Sequence, residues 1–357
     1  MAELMLPNHD NSIPGYKLKE GNFLTAHASD DELWAALCGT FSTKAVHDTS
    51  YKYAFMKSIL DNLYNVDADY RLSFDQLFGK FAEIYWNLIL KYSIRQKAKT
   101  KGDRRSYIER ILLDVKEQYS LPDGVPFESL TEDIRQGVCY SVKQKCKNNV
   151  VGALYGDTAQ LFYGFSIKNQ VLELNPAMYE FLCKHKVFVE KVNYFEWASF
   201  LDKINDDECT LHLLQKLDES AKRNNLSPYR QILYNEFEQQ RCFYCGRSIN
   251  IDNAHVDHFV PWSFIKDDKL WNFVLACPEC NLHKKDKLPV VPYLDLVEDR
   301  NEDIARRGER FGMDNFQPER LRNVYGWAQR NGYDELWRPK RSFLYVQEQG
   351  VKIVAEK

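Results

Sequence analysis

Between Cys242 and Lys287 the sequence concentrates side chains that could do chemistry. Cys242/Cys245 and Cys277/Cys280 are two CxxC pairs, and each pair can set two thiolates on one tight knuckle. Two such knuckles close a tetrahedral four-sulfur shell around Zn²⁺. That shell has no open position, so the metal is expected to hold the fold rather than catalyse. Gly246, directly after the first pair, suits a backbone turn with positive φ. Nine cysteines is an odd number, and with two CxxC pairs it argues for metal over disulfides. Cys38, Cys139, Cys146, Cys183 and Cys209 are expected to be small buried or half-buried residues.

Between the knuckles, a strand is expected over 253–259, ending in Asp257-His258, and a returning strand over 272–276. A short helix opened by Pro278 follows over 278–287. In that arrangement Asp257 offers a carboxylate oxygen and Asn281 an amide oxygen, the ligand types Mg²⁺ prefers, with water and phosphate completing the shell. His258 is the base beside them, since a neutral imidazole can take a proton from water. These parts point to metal-assisted phosphodiester hydrolysis. His255 shares the strand face of Asp257 and is read as a ligand, a phosphate contact or a packed histidine. Lys284 is expected to contact phosphate, while His283 should point away from the site. Trp262 and Trp271 are read as packing residues.

The strings Val256-Asp257-His258-Phe259-Val260-Pro261-Trp262-Ser263, Asn272-Phe273-Val274-Leu275 and Cys280-Asn281-Leu282-His283-Lys284 resemble the HNH (ββα-metal) endonucleases, in particular members with a two-CxxC zinc site. The spacing is also similar to that in the HNH domain of RNA-guided CRISPR effector nucleases. The resemblance covers about residues 240–290. It implies that His258 activates water, that Asp257 and Asn281 hold Mg²⁺ or Mn²⁺, and that Asn272 pins the loop between the strands. It further implies one-strand cleavage of DNA leaving a 5′-phosphate, and a place in bacterial restriction or anti-phage defence. Many family members carry His where this chain has Asn281. RNA cleavage, or a zinc-ribbon module that binds nucleic acid without cutting it, are the alternative readings.

Around this segment the chain is expected to be α+β and mainly helical. Helices are expected near 30–37, from Tyr51 after Thr49 and Ser50 as caps, over 74–92 and over 107–119. VVGALYG, QLFYGF and QVLEL read as short strands of a small ribbon over 150–175, followed by helices over 176–184 and 194–205. Residues 211–240 alternate charged and apolar side chains at helical spacing. The division follows: a helical substrate-binding, partner-binding or regulatory domain over 1–235, the HNH domain over 236–297, and a helical extension over 298–357.

Charge is nearly balanced, with 48 Lys and Arg against 51 Asp and Glu, so nucleic-acid binding must rest on local patches. From Lys91 to Arg110 eight basic residues face two acidic ones, either a phosphate-contacting loop or a solvated linker. Residues 298–341 are of mixed charge, with Arg306 and Arg307 as individual candidates for DNA contact. No phosphate-loop or dinucleotide-binding glycine motif is present. With no signal peptide or membrane span visible, a cytoplasmic location is expected, with a homodimer or a defence-system protein as partner.

Overall fold

The structure, a computed structural model, describes residues 15–41, 48–98, 105–220, 225–306 and 316–341, and the backbone of Leu344–Gln347 and Gly350–Ile353. The chain divides into two compact units, 1–222 and 223–357. The architecture is α+β and mainly helical, as expected. Among the described residues no helix is long and apolar enough to cross a membrane.

Among the described residues of the first unit, the six longest helices surround an aromatic core: α1 (Asp30–Thr40), α2 (Tyr51–Asp61), α3 (Phe74–Trp86), α4 (Tyr107–Gln118), α5 (Glu132–Asp157) and α6 (Pro176–Asp202). Phe55, Phe74, Phe78, Phe81 and Tyr85 are fully enclosed there and stack edge to face at 4.7–6.3 Å. Ser29, Ser73 and Ser106 start α1, α3 and α4 with reciprocal caps from Glu32, Gln76 and Glu109. Each cap is worth about 1 kcal/mol. Ser50, expected as a cap of α2, bonds instead to Tyr85 and Gln96.

Strands β1 (Glu20–Gly21), β2 (Arg71–Ser73), β3 (Tyr163–Ser166) and β4 (Val171–Leu174) form an antiparallel sheet in the order β1-β3-β4-β2. The VVGALYG strand is not formed. Val150, Val151 and Leu154 are buried on the last turns of α5, so the apolar run serves a helix face. The two helices expected over 176–205 are one, α6. Its buried face carries Lys186, Glu190 and Asn193, which hide the apolar period between the two expected segments. The helix expected over 211–240 is broken into Leu213–Asp218, Ser227–Gln231 and a π-turn at Ile232–Glu236. Cys38 is exposed rather than buried. The middle of the basic stretch, 99–104 with Lys99 and Lys101, lies outside the described residues.

The second unit is built on a hairpin, β5 (His255–His258) and β6 (Phe273–Ala276), followed by the helix Pro278–Lys284. Leu288–Pro289 then pairs in parallel with Leu336–Trp337. Helices Val291–Arg306 and Arg320–Arg330 lie between those two segments in the sequence. The region 298–357 thus lies in the same compact unit as the hairpin, and it ends in a further hairpin rather than in helix alone.

Candidate active site

All four residues of β6 are buried, and its register sets His258 opposite Phe273, Asp257 opposite Val274 and His255 opposite Ala276. The loop joining the strands is closed by Asn272. Its side chain accepts from Val260 N at 2.8 Å and donates to Val260 O at 2.9 Å, and its carbonyl accepts from Phe259 N at 2.7 Å. A fully enclosed amide with both ends satisfied fixes where the hairpin turns back. From Val291–Arg306, Asn301 donates to Trp271 O at 2.8 Å and Arg300 donates to Phe273 O. Burial pushes the Arg300 guanidinium down to about 9. Trp271 is buried, and Trp262 lies beneath the Lys266 ammonium at 4.7 Å from its ring centre.

β6 runs directly into Cys277, and Phe243 N donates to Leu275 O at 2.9 Å, which ties the first knuckle to the same strand. Gly246 takes φ 69°, the left-handed turn expected of it. The four cysteine sulfurs lie within 4.8 Å of one another, and Cys245 Sγ is 3.8 Å from Cys277 Sγ. Tetrahedral Zn²⁺ with bonds of about 2.3 Å would separate its sulfurs by ~3.8 Å, so the cluster fits that ion. Thiols this close cannot all ionise unless a cation balances them. The hydrogen bond from Cys280 pulls Cys242 down to about 5, the same bond pushes Cys280 up, and burial pushes Cys245 up to about 11. A thiolate donor set of this kind favours a soft or borderline metal.

Tyr244, inside the first CxxC, carries the knuckle's order into the acid–base group. Its hydroxyl donates to Asp257 Oδ2 at 2.5 Å. Burial first, and then the Asp257 charge, push the phenol well above its ordinary range, so it stays a donor. Asp257 is only 7% exposed. Its second partner is Lys284, whose ammonium sits 3.1 Å from Oδ2 and donates to His258 O at 2.7 Å. Lys284 is fully enclosed. This corrects the expectation of a phosphate contact: position 284 lies one turn after buried Cys280, on the inward face of the helix.

His258 is 5% exposed, and its Nε2 lies 2.8 Å from Asp268 Oδ1. The ring packs edge-on against Phe273 at 4.7 Å. An ionised carboxylate only accepts, so in the neutral imidazole the proton sits on Nε2 and Nδ1 keeps its lone pair. Tyr229 donates to Asp268 O at 3.2 Å and Asp268 N donates to Asp267 Oδ1 at 2.9 Å, which fix the loop carrying that acid. His255 is exposed, with Nδ1 3.1 Å from Asn281 Nδ2, which turns the Asn281 oxygen away from it. His283 donates to Glu279 O at 2.7 Å, on the far side of the helix from Asn281.

A two-stranded hairpin, a helix that returns an amide to it, an acid–histidine pair at its end and four gathered cysteines are the parts of one nuclease design. A family model described as HNH endonuclease matches residues 242–290. The segment is an HNH endonuclease domain. Its presence makes the chain a nuclease that hydrolyses phosphodiester bonds in nucleic acid. The cysteine cluster is consistent with the zinc-binding subgroup of HNH domains. No curated protein and no solved structure matches the chain.

For a catalytic cation, the HNH domain offers donors of fitting type in the Asp257 carboxylate and the Asn281 oxygen. Among the described residues, only the cysteines gather three or more of the side chains that most often bind metal, so a cation held by Asp257 and Asn281 would need water and phosphate oxygens to complete its shell. That is the habit of Mg²⁺. The sequence reading missed Asp268 and Tyr244. KDDK reads as an ordinary polar loop, and the Tyr of CFYC as filler between ligands.

Proposed function

We propose that the protein is an HNH endonuclease that cuts DNA one strand at a time, with Mg²⁺ or Mn²⁺ held by Asp257 and Asn281, His258 as general base, and Zn²⁺ on the four cysteines. The observation that carries this reading is the enclosed His258–Asp268 pair at 2.8 Å within the HNH segment. A cation at Asp257 and Asn281 would offset the charge that builds on the phosphate and the departing oxygen. Asp268 orients the imidazole and keeps its proton on Nε2, so Nδ1 accepts the proton of the attacking water. Tyr244 and Lys284 hold Asp257 in one place, and His255 holds the Asn281 amide, so neither donor has to reorganise during the reaction. Attack at phosphorus with loss of the 3′ oxygen leaves a 5′-phosphate and a 3′-hydroxyl.

One site cuts one strand, so a monomer nicks and a double-strand break takes a dimer or two events. The resemblance of this build to compact bacterial HNH enzymes supports a role in restriction or anti-phage defence, in the cytoplasm. On that reading the helical part, 1–235 by its sequence pattern, binds substrate, a partner protein or an activating signal. The test is supercoiled plasmid and a matched RNA incubated with Mg²⁺, Mn²⁺ or EDTA. Nicked circles with either metal, none in EDTA and intact RNA are expected. Cleavage of the RNA alone would overturn the DNA assignment.

A further inference from the structure

On the face of the site helix opposite Asn281 lies a cleft of about 560 Å³ whose floor includes Cys245 and Cys280. Basic side chains enter it from three separate segments: Arg247 from the first knuckle, Lys287 after the helix, and Arg338, Lys340 and Arg341 from the stretch that follows Leu336–Trp337. The parallel pairing of Leu288–Pro289 with Leu336–Trp337 brings the last three there. Trp337 anchors them, packed edge-on against Tyr244 at 5.0 Å.

Acidic partners are few. Arg247 pairs with Glu279 at 3.1 Å and Lys287 pairs with Glu335. Among the described residues, Arg338, Lys340 and Arg341 are exposed and have no carboxylate partner. In a chain of net charge −3, such a cluster keeps unscreened positive charge in one concave place. Like charges held this close repel one another, and a polyanion laid along the cleft relieves that repulsion while releasing its own condensed counterions. Glu279 and His283 line the cleft one turn apart, whereas Asn281 points the other way, so this surface is separate from the reacting phosphate.

We propose that the cleft binds the sugar-phosphate backbone of the DNA away from the cut, without reading sequence, and that the cysteine knuckles serve as its floor. The inference rests on the DNA-nuclease reading above. It is tested in the full, zinc-loaded chain carrying His258→Ala, so that binding is read without cleavage.

Two fluorescein-labelled 30-base-pair duplexes of unrelated sequence are titrated between 50 and 300 mM salt. Arg338→Gln/Lys340→Gln/Arg341→Gln is expected to weaken binding to both duplexes at least tenfold near 100 mM salt. It should also flatten the plot of log K against log salt by about two to three units. If the triple variant melts early, Lys340→Gln/Arg341→Gln replaces it, with a loss of about one to two units expected. Arg322→Gln, in the helix Arg320–Arg330 and paired with Asp295 and Glu298, should leave the slope unchanged. Unchanged affinity and slope in folded protein, or a loss confined to one duplex, would overturn the proposal. Plasmid nicking by the parent, with His258 in place, reports the nuclease reading separately: parent nicking with unaltered binding by the variants sinks the cleft but not the nuclease, and altered binding by the variants with no nicking by the parent does the reverse.

Discussion

Among the described residues three lysines are fully enclosed, Lys57 and Lys186 in the first unit and Lys284 in the second, and the surroundings of Lys57 and Lys284 differ in a telling way. Lys57, on α2, lies 3.0 Å from Asp61 and 3.6 Å from Glu190, with the Tyr194 ring 5.2 Å away. Burial works to lower its pKa, but attraction from Asp61, Tyr194 and Glu190 outweighs it and leaves the ammonium well above its ordinary range. Two carboxylates, one on α2 and one on α6, converge on one cation. Lys284 has a single carboxylate, Asp257, and a backbone carbonyl, that of His258. It therefore ties Asp257 and His258 to the helix that carries Asn281. The same costly device, a buried ion pair, knits helices in one unit and, under the proposed mechanism, aligns the reacting groups in the other.

The comparison can be broken from the metal side first. Cys277→Ser removes one of four ligands, and structural zinc contributes on the order of 10 kcal/mol in small metal-stapled folds. Zinc content should fall and the second unit should lose its cooperative melt, while the first unit, with Lys57, keeps its own. An unchanged zinc count and melting profile would refute the stapling role.

Next come the lysines themselves. Removing one partner of a buried pair costs about 3–5 kcal/mol, because the other charge is left uncompensated. Lys57→Met and Lys284→Met should both lower stability to denaturant by that order. Only Lys284→Met should also slow nicking per folded molecule. Equal nicking by the two variants would make both pairs purely architectural.

A smaller effect sharpens the same contrast. Asp268→Asn keeps the volume and removes the charge that orients His258. A hydrogen bond to a charged partner is worth about 1.5–3 kcal/mol, so its loss should cost about 10–100-fold in rate. That loss should appear in kcat with KM nearly unchanged, and Asp268→Glu should restore part of it. A loss in KM alone would place Asp268 in binding rather than in orientation.

How much of this was legible depended on how local the signal was. CxxC spacing, the Asp257-His258 pair, Asn272 and Asn281 sit within a single supersecondary unit, where sequence distance sets spatial distance, and the strand–strand–helix reading carried over. The Asn272 bonds to Val260 lie twelve residues apart and were foreseen only through the family resemblance. Asp268 and Tyr244 act through loops whose course depends on Asn301, Arg300 and Tyr229, and no local pattern encodes that. Lys284 was read as a phosphate contact because a lysine in a basic run just after Asn281 looks free to reach substrate, while its helical position beneath Cys280 turns it inward. In the helical unit, β1 and β2 have two and three residues, too few for a period to register. In α6 the buried Lys186, Glu190 and Asn193 replace the apolar residues that would have announced one continuous helix.

The central claim is that His258 takes the proton from the attacking water. It is tested most directly by single-turnover nicking of supercoiled plasmid by His258→Ala, shown to be folded, zinc-loaded and bound to DNA as tightly as the parent. The account predicts a rate lower by about 10²–10⁴, the usual worth of a positioned base. Nicking at the parent rate would contradict it.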